Sequence, residues 1–393
     1  MAGGGEPSPG FYIRRRRALR AKTVRCCPAR AAQLTFGRRL AHHFPALTAA
    51  VSPPQFAAAF AIGRRRVGAQ EPVFVIAEAG VAHFGDMALG RQLVELAAAS
   101  QADAFKLQVF DVEQMIARRA TEWRDRLRSR TLTFDQVHEL RELCRERNLE
   151  FILTAHDESK IEWLVRLEVA AVKVGSGERN NPAFLRQLAS LGRPVILSTG
   201  MYAEADVREA LAALQAGGCH EAALLHCNTS YPTPAADVNL AAMDRLRELF
   251  PGPVGYSDHT ADDLAVMCAV ARGAQVIEKH ITILRDVPNA QDWKVSAGPE
   301  DFPEFVRRVR RVEQLVGHGR KEVSASEQGA QVWALKSLVA ARPMAAGTVL
   351  ATADFVAKRP GDGILPNRLG EVTGRRLCRA LEPDEAVRWE DLT

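Results

Sequence analysis

Two lysines, two histidines and a scatter of carboxylates and hydroxyls stand where apolar runs end. Lys106 and Gln108 close one run, Lys173 opens onto Gly175-Ser176-Gly177-Glu178, and Ser198-Thr199-Gly200 closes a third. Glu78, Thr154, Tyr231, His259 and His280 occupy comparable places. A lysine is costly to bury unless an anion compensates its charge. Lys106, Lys173, a glycine-flanked Ser176 and the Ser198-Thr199-Gly200 turn together make a cradle for phosphate and carboxylate groups. His259 and His280 end consecutive apolar runs, so their imidazoles can converge on a divalent metal acting as a Lewis acid. The same pair could equally hydrogen-bond in place without a metal. Cys227 reads as packing, with His226 pointing the other way.

The elements that must hold these groups repeat along the chain. The apolar runs are Val73–Ala77, Ala104–Gln108, Glu150–Thr154, Ala171–Val174, Val195–Ser198, Ala222–His226, Val254–Ser257 and Val276–His280. Between them lie helical patterns such as Leu89–Ala99, Phe134–Arg147, Ala205–Ala216 and Ala261–Arg272. Thr133 before Phe134-Asp135 and His259-Thr260 before Ala261 are helix-start signals. Strands bracketed by helices pair in parallel, and eight such units predict an α/β fold, a (β/α)8 TIM barrel. A doubly wound sheet is the alternative, but no GxGxxG follows the first strand. In a barrel, polar residues at the carboxyl ends of strands are the default site candidates.

The chain has 393 residues, 47% of them hydrophobic and 25% charged, which fits a large globular core. The net charge of +5 is misleading. Residues 1–70 hold thirteen Lys or Arg and one acidic residue, Glu6, so the rest sums to −7. Charge therefore gives no argument for nucleic acid, and no apolar stretch is long enough to span a membrane. Seven cysteines without a CxxC pair suit a reducing, cytoplasmic setting. Residues 1–58 read as a basic leader, either disordered or an upstream reading of the start, with an organellar transit peptide as the alternative. The barrel is expected over 59–316, closed by a helix at Pro303–Val316, and a linker over 317–334. Residues 335–393 carry short strands and a weak repeat, Met344–Phe355 aligning with Leu381–Leu392. So small a β-rich domain needs something to dock on.

From about residue 60 onward the chain resembles the sialic acid synthase family, with its C-terminal antifreeze-like SAF domain. The motifs carrying the resemblance are IAEAGVAHFGD, FKLQVF, KVGSGE, ILSTGM, LLHCNTSYPTP, GYSDHT, EKHIT and KRPGDGI, in family order. The resemblance implies condensation of phosphoenolpyruvate with an N-acylated amino sugar aldehyde, typically N-acetylmannosamine, releasing phosphate. It implies that His259 and His280 bind a divalent metal, usually manganese, with magnesium or cobalt as alternatives. It implies that Lys106, Thr154, Lys173, Ser176 and Ser198 hold phosphoenolpyruvate. Glu78, Gln108, Glu178, Tyr231 and Asp292 match positions around the acceptor sugar and reacting carbons. Arg359 matches an SAF arginine that reaches the barrel of a partner subunit, so a homodimer exchanging SAF domains is expected.

The chain departs from the family pattern around the acceptor. Ala82 and Phe84 flank His83 where polar residues are usual, and Thr229 replaces a common Asn. Ala155-His156 stands for Pro-Phe, and Val287-Pro288-Asn289-Ala290-Gln291 leads to Asp292 where Gly-Pro-Asp is usual, with one extra residue. Donor and metal positions are kept. The leading expectation is therefore a phosphoenolpyruvate–aldose synthase, with legionaminate, pseudaminate or spore-coat sugar synthesis as the alternatives. A silent carbohydrate-binding protein and a Schiff-base aldolase using Lys106 or Lys173 are the readings from other classes.

Overall fold

The computed structural model describes residues 56–288, 290 and 292–393. The expected leader thus lies outside the described residues, except for its last three. Those three already belong to the fold: Phe56 is buried edge-on against Phe250, and the Ala57 amide donates to the His220 carbonyl. The leader boundary at 58 was therefore set too late. Asn289 and Gln291 of the altered loop also lie outside the described residues.

Eight parallel strands close into a barrel, as the repeating pattern predicts. They are β3 (Phe74–Gly80), β4 (Ala104–Val109), β5 (Glu150–Ala155), β6 (Ala171–Val174), β7 (Val195–Ser198), β8 (Ala222–Cys227), β9 (Val254–Asp258) and β10 (Val276–His280). β10 pairs with β3 to complete the ring. Two earlier strands, β1 (Phe60–Ile62) and β2 (Arg65–Val67), form an antiparallel hairpin that the sequence reading did not anticipate. Three-residue strands are too short to show alternation. Their Phe60, Ile62 and Val67 pack with Phe74, Ile76, Ile152 and Ile196, plugging the amino-terminal end of the barrel.

Side chains alternate across each strand, so one parity faces the axis and the other faces the helices. Outward residues such as Val75, Phe105, Leu153, Val172 and Leu224 merge with the helices into one core. Inward residues are apolar at the base and polar at the carboxyl end. Ile76 gives way to Glu78, Ala104 to Lys106, Ile152 to Thr154, Ala171 to Lys173 and Ile196 to Ser198. The expected helices are present over Met87–Ala99, Phe134–Glu146 and Glu204–Ala216. Thr133 caps its helix in a reciprocal box with Gln136. The helix after β9 begins at Leu264, later than expected, because Thr260 is tied to the Asp258 carboxylate and stays outside the helix. The closing helix spans Phe302–Val316.

Beyond it, a short helix at Gln328–Ala334 occupies part of the expected linker. The C-terminal domain pairs β11 (Ser337–Ala340) with β12 (Phe355–Lys358) antiparallel around Leu338, Met344, Leu350, Leu377, Leu381 and Val387. The weak repeat is structural. Met344 bridges Leu381, and Arg342 pairs with buried Asp354 as Arg379 pairs with buried Asp391. Each of these aspartates also accepts the amide that opens its own turn, Ala351 or Arg388. No helix among the described residues is long and apolar enough to cross a membrane.

Gly255 sits where β9 and β10 approach most closely. A Cβ there would lie 2.1 Å from the Val276 carbonyl and 2.8 Å from a Leu225 methyl. Gly255→Ala must push apart the two strands that end in His259 and His280. A loss of at least about 2 kcal/mol is expected. Urea unfolding would read it, and wild-type stability in this variant would refute the close-approach argument.

Candidate active site

The polar end of the barrel interior holds a chain of buried charges. Lys106 Nζ lies 3.2 Å from Glu78 Oε2 and 3.2 Å from Glu278 Oε2. Lys173 Nζ lies 3.5 Å from Glu278 Oε1 and donates to Ser198 Oγ at 2.7 Å. Ser257 Oγ donates to Glu278 Oε1 at 2.9 Å. Glu278 is thus the counter-ion shared by both lysines. The sequence reading placed it at a strand end but gave it no role. The signal was available: Glu278 is two residues before His280, so both face the axis.

Burial and charge set the protonation states. Burial disfavours the charged form of Lys106, but Glu278 and Glu78 outweigh it and its pKa rises. Lys173 goes the other way: burial lowers its pKa by more than Glu278 raises it, and Lys106 repels it further. Burial raises Glu78 to about 7 against the pull of Lys106, with Glu278 pushing the same way. Burial also resists ionisation of Glu278, yet Lys106 and Lys173 together hold it well below the usual carboxylate range. The under-compensated cation is Lys173, so an arriving anion gains most beside it. Ser176 and Ser198, the expected anion-binding hydroxyls, are at hand. Ser176 Oγ accepts the Gly200 amide at 2.9 Å, and Gly200 is required because a Cβ would meet Ser176 Oγ at 2.8 Å and Thr229 Oγ1 at 2.6 Å. The fifth of these positions, Thr154, is buried with its Oγ1 unpartnered.

A second cluster lies against the first. The His259 and His280 ring centroids are 5.3 Å apart, and Tyr231 stacks on His259 at 4.1 Å. The clusters meet at Gly80, whose left-handed backbone leaves room for Glu78, Gln108 and His280 within about 3.6 Å of the missing Cβ. Burial lowers His259 to about 4 and His280 to about 3, so both rings are neutral at pH 7. His259 Nδ1 lies 2.6 Å from the Asn228 carbonyl, which holds the proton on Nδ1 and frees Nε2 as a ligand. These features fit a divalent metal held by two imidazoles. No group of three or more His, Cys, Asp or Glu side chains that could hold a metal exists among the described residues. On the outer face of β10, Lys279 pairs with Asp258 at 2.6 Å and caps the Thr260 and Asp262 carbonyls, fixing the loop that carries His259.

Cys227 proves to face the axis. Its Sγ lies 3.6 Å from His259 Nδ1, and it interacts with Lys173, Ser257 and Ser176. The packing assignment is corrected: the thiol lines the site, and burial keeps it protonated at neutral pH by raising its pKa to about 11. His226 does point away, bonding the Val238 carbonyl.

Above these clusters opens a cavity of about 600 Å³ whose walls include Gln108, His156, Glu178 and Asp292. Glu178 accepts from Asn181, and burial raises its pKa. Arg126 and Arg130 line the same cavity and repel each other, while Asp292 favours the Arg130 charge. Phe84, in a left-handed backbone, lies beneath the Arg130 guanidinium with its ring centroid 5.1 Å away. Its apolar face thus meets a cation. Twelve of the thirteen expected residues therefore gather at one end of the barrel. Arg359 does not join them within its own chain: it is exposed, and its Nε donates to the Ala334 carbonyl. A larger cavity, about 1290 Å³, lies at the opposite end, lined by Arg65, Asp103, Arg310 and Glu313, away from every one of these groups.

Glu278→Gln should destabilise the fold by about 3–5 kcal/mol, because two buried lysines lose a counter-ion. Inorganic phosphate should then raise the unfolding midpoint of this variant more than that of wild type. Equal protection of both proteins would show that the lysines do not share one anion site.

Comparison with known proteins matches the chain to two families. The NeuB family matches residues 93–321, and the SAF domain family matches residues 336–393. An uncharacterised protein of Methanocaldococcus jannaschii is 40% identical, over 84% of this chain and 98% of its own. The N,N'-diacetyllegionaminic acid synthase of Legionella pneumophila is 34% identical, over 83% and 96%. Among solved structures, N-acetylneuraminic acid synthetase from Leptospira borgpetersenii superposes with a TM-score of 0.64 at 31% identity, covering 70% of this chain and 96% of that one. Barrel, polar core and SAF domain together place the chain in the NeuB family.

Proposed function

We propose that the protein joins phosphoenolpyruvate to the open-chain form of an N-acylated amino sugar and releases phosphate, giving a sialic acid-type nonulosonate. The observation that carries this reading is the pair of buried lysines sharing Glu278 beside two neutral imidazoles. A Schiff-base aldolase needs one amine free to attack. Here Lys106 is held between two carboxylates, and Lys173 is bonded to Ser198 and Glu278.

Lys106, Lys173, Ser176, Ser198 and Thr154 bind the donor's phosphate and carboxylate and orient its methylene carbon. His259 and His280 would hold a divalent cation, manganese being the expected one, and when bound it supplies polarisation of the acceptor aldehyde oxygen. A carbon–carbon bond forms between the methylene carbon and the aldehyde carbon, leaving positive character on the former enol carbon. Glu78, buried among these groups, is the carboxylate we assign to that position. With a pKa of about 7 it can stabilise the cation and take a proton from the water that adds there. Breaking of the carbon–oxygen bond to phosphate completes the reaction. Gln108, Tyr231, Glu178 and Asp292 face the acceptor. Free thiols at all five described cysteines support a reducing, cytoplasmic setting.

The acceptor is read as a deoxy or diacylated relative of N-acetylmannosamine. The altered residues Ala82, Phe84 and His156 support this, as does the likeness to a diacetyllegionaminic acid synthase. Phosphate release from phosphoenolpyruvate against a panel of 2-acetamido sugars tests the reading. Diacylated or deoxy acceptors should be competitive, and chelation, His259→Ala or His280→Ala should abolish turnover. Full activity after exhaustive chelation would refute the metal. An advantage of about a hundredfold or more for N-acetylmannosamine would refute the acceptor assignment.

The active unit is read as a homodimer in which Arg359 serves the partner's barrel. Arg359 is exposed on a small domain, beside exposed Val332, Trp333 and Leu335. An arginine over the barrel mouth would add planar hydrogen bonding and exclude water. Mixing Arg359→Ala with His259→Ala chains under subunit exchange should restore about a quarter of wild-type activity, one intact site in each mixed dimer. No recovery despite confirmed exchange would exclude action in trans.

A further inference from the structure

His156 follows β5 and lines the 600 Å³ cavity together with Gln108, Glu178, Asn181 and Asp292. Its backbone amide donates to the Val109 carbonyl at 3.1 Å, which fixes where the side chain starts. Its Nε2 lies 3.2 Å from Gln108 Oε1. At the other end of the same amide, Gln108 Nε2 donates to Glu78 Oε1 at 2.6 Å. Glu78 is in turn held by Lys106.

With Glu78 ionised, the directions along this chain follow from its charge. A carboxylate held by a lysine accepts, so Gln108 must turn its NH2 to Glu78. Its carbonyl oxygen then faces His156 and can only accept. The imidazole must therefore carry its proton on Nε2, which leaves Nδ1 as a bare acceptor. Burial, with the charges of Lys106 and Lys173, lowers the ring's pKa to about 4, so the ring is neutral near pH 7. Phe110 flanks the ring at 6.4 Å, and a Cβ on Gly175 would only just touch its Cε1, at 3.8 Å. The ring edge bearing Nδ1 is therefore not crowded from the Gly175 side.

We propose that His156 determines acceptor specificity: Nδ1 accepts a hydrogen bond from an O–H or an acylamide N–H of the amino sugar, in a tautomer imposed by Gln108 and Glu78. The inference rests on the synthase reading above and narrows its acceptor. A phosphate or carboxylate oxygen has no hydrogen to give and would face a lone pair, so the group beside His156 is a donor and not an anion. A phenyl ring in this place would fill similar space and accept nothing.

Three variants test it by steady-state phosphate release. His156→Gln can keep the N–H bond to Gln108 but offers no acceptor where Nδ1 was. His156→Asn can place an oxygen near Nδ1 but loses Gln108. His156→Phe removes both. Phe and Gln should raise the acceptor KM about tenfold to a hundredfold, with the phosphoenolpyruvate KM within about twofold of wild type. Asn should recover part of the loss. Acceptor analogues lacking one hydroxyl or acylamide at a time add a second readout. One analogue should be poor with wild type and no worse with His156→Phe, because the partner group is already gone. If His156→Phe does not fold, the Gln and Asn variants carry the comparison.

Two results would overturn the proposal: acceptor KM and analogue preference unchanged in Phe and Gln, or both KM values rising together. The latter would make His156 a support for Gln108 and Lys106 instead. Wild type that releases no phosphate with any amino sugar would overturn the synthase reading itself, and this inference with it. Active wild type with indifferent variants would overturn the inference alone.

Discussion

One carboxylate near the barrel axis organises the site. Glu278 lies between Lys106 and Lys173, which are spaced around the ring on β4 and β6, while Glu278 itself comes from β10. Without it Lys173 would lose its carboxylate and Lys106 would keep only Glu78. The sharing is unequal. Lys106 has a second carboxylate in Glu78, whereas Lys173 has Glu278 and neutral hydrogen bonds. The site therefore keeps one cation under-compensated, next to Ser198 and close to Ser176. That imbalance gives an anionic donor a reason to bind, and it is built before the donor arrives.

The rest of the barrel supports that arrangement. The β1–β2 hairpin fills the base, where inward residues are apolar, so polar groups are confined to the opposite end. A Cβ at Gly255 would strike the Val276 carbonyl, so glycine keeps β9 and β10, which lead to His259 and His280, in register. Lys279 and Asp258 form a buried pair on the outer face of those strands and hold the loop after His259. Adjacent residues on β10 thus have opposite tasks. Glu278 and His280 face the axis, and Lys279 braces the wall between them.

The acceptor side differs in character. Its cavity is lined by groups from loops, including Glu178, Asn181, Asp292, Arg126 and Arg130, and they satisfy one another in part. Gln108 connects the two regions through hydrogen bonds, from Glu78 on one side to His156 on the other. Phe84 and His156, where the chain departs from the family pattern, lie on this side, and His156 still reaches the lysine cluster through Gln108. Conserving the donor half while varying the acceptor half is how one barrel can serve several sugars.

The sequence by itself determined the barrel, because eight apolar runs separated by helical patterns admit few other arrangements, and it put Lys106, Gln108, Thr154, Lys173 and Ser198 at the carboxyl ends of strands, where barrel sites lie. It also determined the repeat in the C-terminal domain, down to paired acidic turns. It could not supply the β1–β2 hairpin, whose strands are too short to show a period. Tertiary structure alone decided that Glu278 serves both lysines, since the partners come from three strands far apart in the chain. It decided as well that Cys227 faces the site and that Phe84 lies under Arg130. The direction of the Glu78–Gln108–His156 chain was likewise hidden, because parity says which way a side chain points but not which atom meets its neighbour. Periodicity is a property of one strand, and charge compensation is a property of the closed ring.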